Sequence, residues 1–143
     1  YVGESLRMRL PFANLGLVPE FASSYMLQAN IGARRAAELF YTAEWIDAER
    51  ALETGIATRV YPDAELLERA QQKAREIAQW PVNALQETKR CLKLAHRAAL
   101  DAALLAESEA MRRQAGSAEN VEAITAFFEK RPPDFSKLYN AVD

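Results

Sequence analysis

Two prolines, Pro11 and Pro19, bracket a short apolar segment near the beginning of the chain and limit the regular structure that can form there. Proline lacks a backbone N–H, so it ends a strand and is best tolerated at the first position of a helix. Residues 6–10, before Pro11, alternate apolar and basic side chains, which predicts a half-buried strand. After Pro19 we expect a helix from about 20 to 31 that ends at Gly32.

The rest of the chain is predicted to be mostly helical. Asp47 and Ser117 are residue types that commonly cap a helix N-terminus, and the spacing of apolar residues after them predicts helices. The tail from 132 to 143 is expected to form a loop that docks through Phe135 and Tyr139. The predicted helices after residue 32 are 33–41, 48–54, 64–79, 81–95, 98–114 and 118–130, with a second strand at 56–61.

The composition excludes several classes of protein. Half of the 143 residues are apolar, which is enough for one domain with a core of its own. The 18 basic and 20 acidic residues include no long run of one sign, so we expect neither a nucleic-acid-binding nor a membrane-binding surface. One cysteine excludes a disulfide within these residues, and one histidine is too few for a histidine metal site or a Ser-His-Asp triad.

Glu20 is the carboxylate that the pattern places in the setting best suited to chemistry. Phe12, Leu17, Val18 and Phe21 lie close to it in sequence. If these side chains enclosed the carboxyl group, burial would favour its neutral form and suit it to proton transfer near neutral pH. A glutamate at a helix start is also common for a structural reason, because the helix dipole favours an anion there. From the residues alone, both interpretations remain open.

Four segments, in order along the chain, carry a family resemblance. They are residues 15–20 (Leu-Gly-Leu-Val-Pro-Glu), Gly32 with 35–38, residues 48–60, and residues 127–131 (Phe-Phe-Glu-Lys-Arg). Together they resemble the crotonase superfamily of enoyl-CoA hydratases and isomerases. The resemblance covers about residues 2–135 and corresponds to the C-terminal half or so of a family member.

The resemblance implies an α/β fold, a spiral of ββα units, of which residues 1–62 would form only the last part. Residues 63–143 would then form a mainly α-helical region that drives trimerisation, so this chain alone should be mostly α. The chain does not begin with methionine, and we expect it to be part of a longer protein. The backbone amides that bind the thioester oxygen in the family would precede Tyr1, so we expect little activity from the chain alone.

The resemblance also discriminates between catalytic positions. Hydratases of the superfamily carry one of their two glutamates where this chain has Phe12, and a phenyl ring cannot transfer a proton. Peroxisomal-type Δ3,Δ2-enoyl-CoA isomerases are similar over 11–24, with the pattern Pro-Phe-x-x-Leu-Gly-x-x-Pro-Glu-x-x-Ser-Ser, and use the glutamate that matches Glu20. The implied reaction shifts a double bond from the β,γ to the α,β position through a dienolate, with Glu20 as proton shuttle.

The resemblance implies an acyl-CoA thioester as substrate, with no cofactor beyond the CoA of that substrate and no metal. The residues that we expect to contact the substrate are Phe12, Leu17, Phe21, Phe128 and Lys130. Lys130 would offer a mobile cation to a CoA phosphate. Phe128 could instead belong to the core.

The expected assembly is a homotrimer or a dimer of trimers, and residues 140–143 do not form a peroxisomal address, which favours a cytoplasmic location. Two other functions remain open. The protein could catalyse a different reaction of the superfamily, such as hydration or hydrolysis of an acyl-CoA. It could also be a non-catalytic subunit with the same fold.

Overall fold

The computed structural model describes residues 1–139, and most of them are helical. The last part of the predicted tail loop, 140–143, lies outside the described residues. The elements, in chain order, are strand β1 (Val2–Gly3), a 3-10 turn (Ala13–Leu15), helices α1 (Ser23–Ile31), α2 (Ala33–Thr42) and α3 (Ala48–Thr54), strand β2 (Val60–Tyr61), and helices α4 (Asp63–Ile77), α5 (Val82–Gln114), α6 (Ala118–Phe128) and α7 (Ser136–Tyr139).

The two strands form a small parallel sheet. Val2 of β1 lies opposite Val60 of β2, and Gly3 lies opposite Tyr61. The predicted strand at 56–61 is therefore reduced to its last two residues. The division of the chain at residue 62 stays a prediction.

The predicted strand at 6–10 is wrong. This segment makes one isolated antiparallel bridge, in which Met8 and Ile46 exchange both backbone hydrogen bonds at 3.0 and 2.8 Å. The alternation still reports the two sides of this segment. Leu6, Met8 and Leu10 pack against the core. On the other side, the guanidinium groups of Arg7 and Arg9 lie 4.7 and 4.9 Å from the centre of the Trp45 ring. Cations at this distance are attracted by the face of an indole. The two-residue period here therefore records a segment with an apolar side on the core and a basic side on Trp45.

A small core lies where the first three helices meet. Leu39 of α2 and Ile46 are its most deeply buried large side chains, and each residue is 1% exposed. Alanines supply much of the remainder, which lets the helix backbones approach closely. The buried members of this core are Ile31, Ala36, Leu39, Ile46, Ala51 and Ala57.

The predicted caps at two helix starts are confirmed. The Asp47 carboxylate accepts a hydrogen bond from the backbone N–H of Arg50 at 2.8 Å and begins α3. The Ser117 hydroxyl accepts one from the backbone N–H of Asn120 at 3.2 Å and begins α6. Each cap satisfies a backbone donor that has no partner within its own helix.

The two helices predicted at 81–95 and 98–114 form one continuous helix, α5. The residues between them include no proline or glycine, so nothing interrupts the backbone hydrogen bonds. His96, at this junction, accepts or donates a hydrogen bond with the Tyr25 hydroxyl of α1, with 2.8 Å between the hydroxyl oxygen and Nδ1. This contact helps to fix the middle of α5 against α1.

Gly16 marks the point where the 3-10 turn packs on α6. Its φ of 64° is left-handed, and a Cβ at this position would lie 2.7 Å from the backbone nitrogen of Asn120. Asn120 is buried, and its Nδ2 donates a hydrogen bond to the carbonyl oxygen of Leu15 at 2.8 Å. The turn is therefore held against the first residues of α6 by close backbone approach and by one buried amide.

The chain after α6 is tied back by Glu122. Arg131 donates two hydrogen bonds to its carboxylate, at 2.6 and 3.1 Å, and the backbone N–H of Asp134 donates a third at 2.8 Å. The Arg131 guanidinium and the Asp134 N–H lower the pKa of Glu122 to about 2.

As predicted, Phe135 and Tyr139 lie against the body of the protein. They line a groove together with Leu17, Ala13, Gly16, Gln114 and Glu119. The expected loop contains the short helix α7.

Gly16→Ala tests the close approach of the 3-10 turn to α6. We expect the substitution to lower the free energy of unfolding by about 2–4 kcal/mol, because a left-handed alanine and a clash with backbone both cost energy. The matched control is Gly116→Ala, since Gly116 has a φ of 79° but no atom within 4 Å of the added Cβ. This control should lower the free energy of unfolding by about 1–2 kcal/mol, the cost of an alanine with a left-handed backbone. Urea denaturation of both variants makes the comparison, and equal losses would contradict the contact with α6.

Glu122 predicts a specific pH dependence. Its pKa in the folded protein is about 2, below the ordinary value of 4.5. Its contribution to the free energy of unfolding is therefore complete above pH 4.5 and is lost as the pH falls toward 2. At about pH 3.5, where an ordinary glutamate is mostly protonated, the NMR signal of the Glu122 carboxyl carbon should still be at its neutral-pH position. A midpoint near pH 4.5 would contradict the ion pair. Glu129→Gln should leave this titration in place, whereas Glu122→Gln should remove it.

Candidate active site

Glu20 lies just before a left-handed turn that leads into α1. Phe21 and Ala22 have φ values of 63° and 56°, and this is why α1 begins at Ser23 instead of at Glu20 as predicted. For residues other than glycine this conformation costs roughly 1–2 kcal/mol each. The Glu20 carbonyl accepts a hydrogen bond from the backbone N–H of Ser23 at 3.0 Å, which closes the turn. Glu20 is thus held outside the helix.

Glu107 of α5 caps this turn, since α5 packs against the start of α1. The backbone N–H of Ala22 donates to its Oε2 at 2.6 Å, and that of Ser24 donates to its Oε1 at 2.8 Å. Glu107 is only 7% exposed. Charge-assisted hydrogen bonds to an anion at a helix N-terminus are among the stronger ones in proteins. They offset part of the cost of the left-handed turn and fasten α5 to α1.

Sequence reasoning missed Glu107, although one signal pointed to it. Leu100, Leu104, Glu107 and Met111 follow the spacing of one helix face, and the other three are apolar. A charge within an apolar stripe must find a partner when it is buried. The partner here consists of two backbone N–H groups, which no side-chain pattern reveals.

Glu20 and Glu107 line one groove between the turn and α5. The apolar side chains of Leu104 and Met111, and the cation of Arg112, lie along the same groove. The remaining lining residues are Phe21 and Ser108. Glu20 is exposed, and no side-chain hydrogen bond to its carboxylate occurs among residues 1–139. Because both oxygens of Glu107 are taken by backbone amides, Glu20 is the carboxylate of this groove that a ligand can reach.

The apolar enclosure that we predicted around Glu20 is absent from the described part of the chain. Phe21 is 92% exposed, because the left-handed turn leaves its ring in solvent. Phe12 is half-buried but packs on Phe40, with 6.1 Å between ring centres. Phe21 therefore lies beside Glu20 without enclosing its carboxylate, and Phe12 is not among the residues that line the groove.

The residues predicted to contact substrate do not all line this groove. Phe21 lies beside Glu20 in it, whereas Leu17 lines the groove of Phe135 and Tyr139. Phe128 is 77% exposed, so it is not part of the core that residues 1–139 form. Lys130 is exposed just after α6, where its backbone is left-handed. All of the predicted roles stay predictions, for Glu20 as base and for Phe12, Leu17, Phe21, Phe128 and Lys130 in substrate binding.

Within 1–139, no three Asp, Glu, His or Cys side chains come together in a way that could hold a metal ion. The helices described over this range include none with the length and apolar character needed to cross a membrane.

The family model for enoyl-CoA hydratase/isomerase matches residues 1–138 of this chain. The chain belongs to the enoyl-CoA hydratase/isomerase family. This confirms the resemblance to the crotonase superfamily, while a special closeness to peroxisomal isomerases stays a prediction.

Individual relatives agree with the family match and differ in the reactions they are named for. The chain is 33% identical over 133 residues to the 2,3-dehydroadipyl-CoA hydratase of Escherichia coli K12, covering 93% of this chain and 52% of that one. It is 26% identical over 132 residues to the rat enoyl-CoA delta isomerase 2, covering 92% and 34%. This chain therefore spans about half of the length of the first relative and about a third of the second.

A solved structure shows the same fold. The enoyl-CoA hydratase/isomerase of Pseudoalteromonas atlantica T6c superposes with a TM-score of 0.88 at 35% sequence identity, over 93% of this chain and 54% of that one. The predicted crotonase-like fold is confirmed at this level. A role of the C-terminal helices in trimerisation stays a prediction.

Proposed function

We propose that the complete protein containing this chain isomerises β,γ-unsaturated acyl-CoA thioesters, with Glu20 as the group that moves the proton. The supporting observation is the contrast between the two acids of the groove. Glu107 is buried with both oxygens occupied, whereas Glu20 is exposed. A general base must come within hydrogen-bond reach of the proton that it removes, and only Glu20 is open to a substrate.

The reaction needs one carboxylate. Glu20 takes a proton from the carbon between the thioester carbonyl and the double bond, and the electron pair left behind spreads over a dienolate. The neutral Glu20 then returns the proton two carbons further along, which leaves the double bond next to the carbonyl. Atoms and charge balance without a cofactor. The negative charge that develops on the thioester oxygen needs hydrogen-bond donors, which the family supplies from backbone amides.

Phe12 favours isomerisation over hydration. Addition of water requires groups that position the water and transfer its protons. The family resemblance places one of the two hydratase glutamates at Phe12, and its ring packs on Phe40 instead. The relatives include proteins named for hydration and for isomerisation, so family membership does not choose between them.

The groove around Glu20 has the chemistry of an acyl-chain site. Phe21, Leu104 and Met111 expose apolar surface beside the carboxylate, and each could bind the chain of a fatty acyl group. Lys130 and Phe128, exposed at the end of α6, are our candidates for the phosphates and adenine of CoA. We further propose a homotrimer, since α5 carries several exposed leucines that suit subunit contact, including Leu92, Leu94 and Leu105.

Glu20→Gln in the complete protein tests the assignment of the base. Glutamine keeps the size of the side chain but cannot accept the proton, so kcat should fall by about 100- to 10,000-fold while KM changes little. Formation of the conjugated product from a β,γ-unsaturated acyl-CoA measures the rate. Glu109→Gln is the matched control, because Glu109 is exposed on α5 outside the groove and should keep the parent rate.

Three outcomes would contradict the proposal in different ways. A Glu20→Gln variant with the parent kcat would show that another group is the base. A parent protein that hydrates α,β-unsaturated acyl-CoA but does not shift the β,γ double bond would be a hydratase. A folded parent protein with neither activity would fit the non-catalytic subunit.

A further inference from the structure

We propose that Glu107 is a positioning residue, which holds Glu20 in place through the left-handed turn of Phe21 and Ala22; this inference rests on the proposed role of Glu20. Glu107 is nine-tenths buried, and both its oxygens are bound by backbone N–H groups, so it does not touch the substrate. Its effect on the reaction must pass through the backbone that it binds.

The hydrogen bonds at the start of α1 show which alternative conformation Glu107 disfavours, namely a longer α1. If Phe21 and Ala22 were helical, α1 would begin near Glu20, as its sequence predicts. The backbone N–H of Ser24 would then donate to the carbonyl of Glu20, four residues back. In the structure that N–H donates to Glu107 at 2.8 Å instead. Glu107 therefore competes with extension of the helix through Glu20.

The second hydrogen bond also favours the left-handed turn over a longer α1. The N–H of Ala22 belongs to the left-handed residue itself, and it donates to Glu107 at 2.6 Å. One carboxylate thus binds donors on both sides of Ser23. A neutral amide cannot do this, because its NH₂ group would face an N–H donor where Glu107 presents its second oxygen. The charge and the two acceptors are both needed to hold the turn.

The consequence concerns the direction of the Glu20 side chain. With the turn in place, Glu20 lies before the helix and its carboxylate is exposed on the groove. With α1 extended, Glu20 would become a helical residue whose side chain points back along the helix. A displacement of this kind misaligns a catalytic base without removing it, and misplacement by about 1 Å can cost on the order of 100-fold in rate.

Glu107→Gln in the complete protein is the first test. We expect kcat for the β,γ-unsaturated acyl-CoA to fall by about 10- to 100-fold with little change in KM, because the base is misplaced and substrate contacts remain. NMR shifts of residues 20–24 should move toward helical values in the same variant. Glu109→Gln, on the exposed side of α5, should change neither kcat nor these shifts.

Rescue by glycine separates positioning from a general loss of stability. Glycine adopts a left-handed backbone without cost, so Ala22→Gly should restore most of the lost kcat when combined with Glu107→Gln. Ala29→Gly, on an exposed and helical position of α1, should not. If Glu107→Gln does not fold, the double variant with Ala22→Gly should, and a double variant that stays unfolded would overturn the proposal.

The outcomes distinguish this inference from the proposed function. A folded Glu107→Gln variant with the parent kcat and unchanged shifts, beside an inactive Glu20→Gln, would overturn the positioning role and leave the base assignment intact. An active Glu20→Gln would overturn the base assignment, and the NMR shifts of residues 20–24 would still report whether Glu107 holds the turn.

Discussion

One buried carboxylate determines the geometry on which the candidate site depends. Glu107 receives the backbone N–H groups of Ala22 and Ser24, and these two bonds fasten α5 to the start of α1. They also support two consecutive left-handed residues, Phe21 and Ala22, that an unassisted chain would avoid. The exposed position of Glu20 follows from that turn. A charge placed in the apolar face of a helix thus serves the site on the neighbouring helix.

The segment that carries Glu20 is held at its other end as well. Asn120 of α6 binds the carbonyl of Leu15, and the backbone of Gly16 lies so close to α6 that no side chain fits between them. Residues 16–21 therefore span from a contact with α6 to a contact with α5. Such double attachment gives an exposed carboxylate a defined position although its own side chain has no partner among residues 1–139.

The sequence predicted the parts of this structure that depend on local rules. Asp47 and Ser117 begin helices as their side chains indicate. The role of Glu20 as base comes from the family resemblance and stays a prediction. The sequence did not predict the continuous α5, the missing strand at 6–10 or the late start of α1. The late start of α1 depends on a partner far along the chain, Glu107. The segment 6–10 alternates like a strand but pairs through one bridge only, between Met8 and Ile46. The continuity of α5 follows from the absence of proline and glycine at 96–97. The spacing of apolar residues does not show where backbone N–H groups lack a partner. It therefore did not predict that Glu107 caps the turn.

A crystal structure of the complete protein with an unreactive acyl-CoA analogue bound would show which acid faces the substrate. We expect a Glu20 carboxylate oxygen within about 3.5 Å of the carbon next to the thioester carbonyl, a reactive distance. We also expect Ala22 and Ser24 still to donate to Glu107 in that complex. A substrate carbon that faces a different acid, or a Glu20 drawn into an extended α1 with Glu107 released, would contradict the roles of both glutamates.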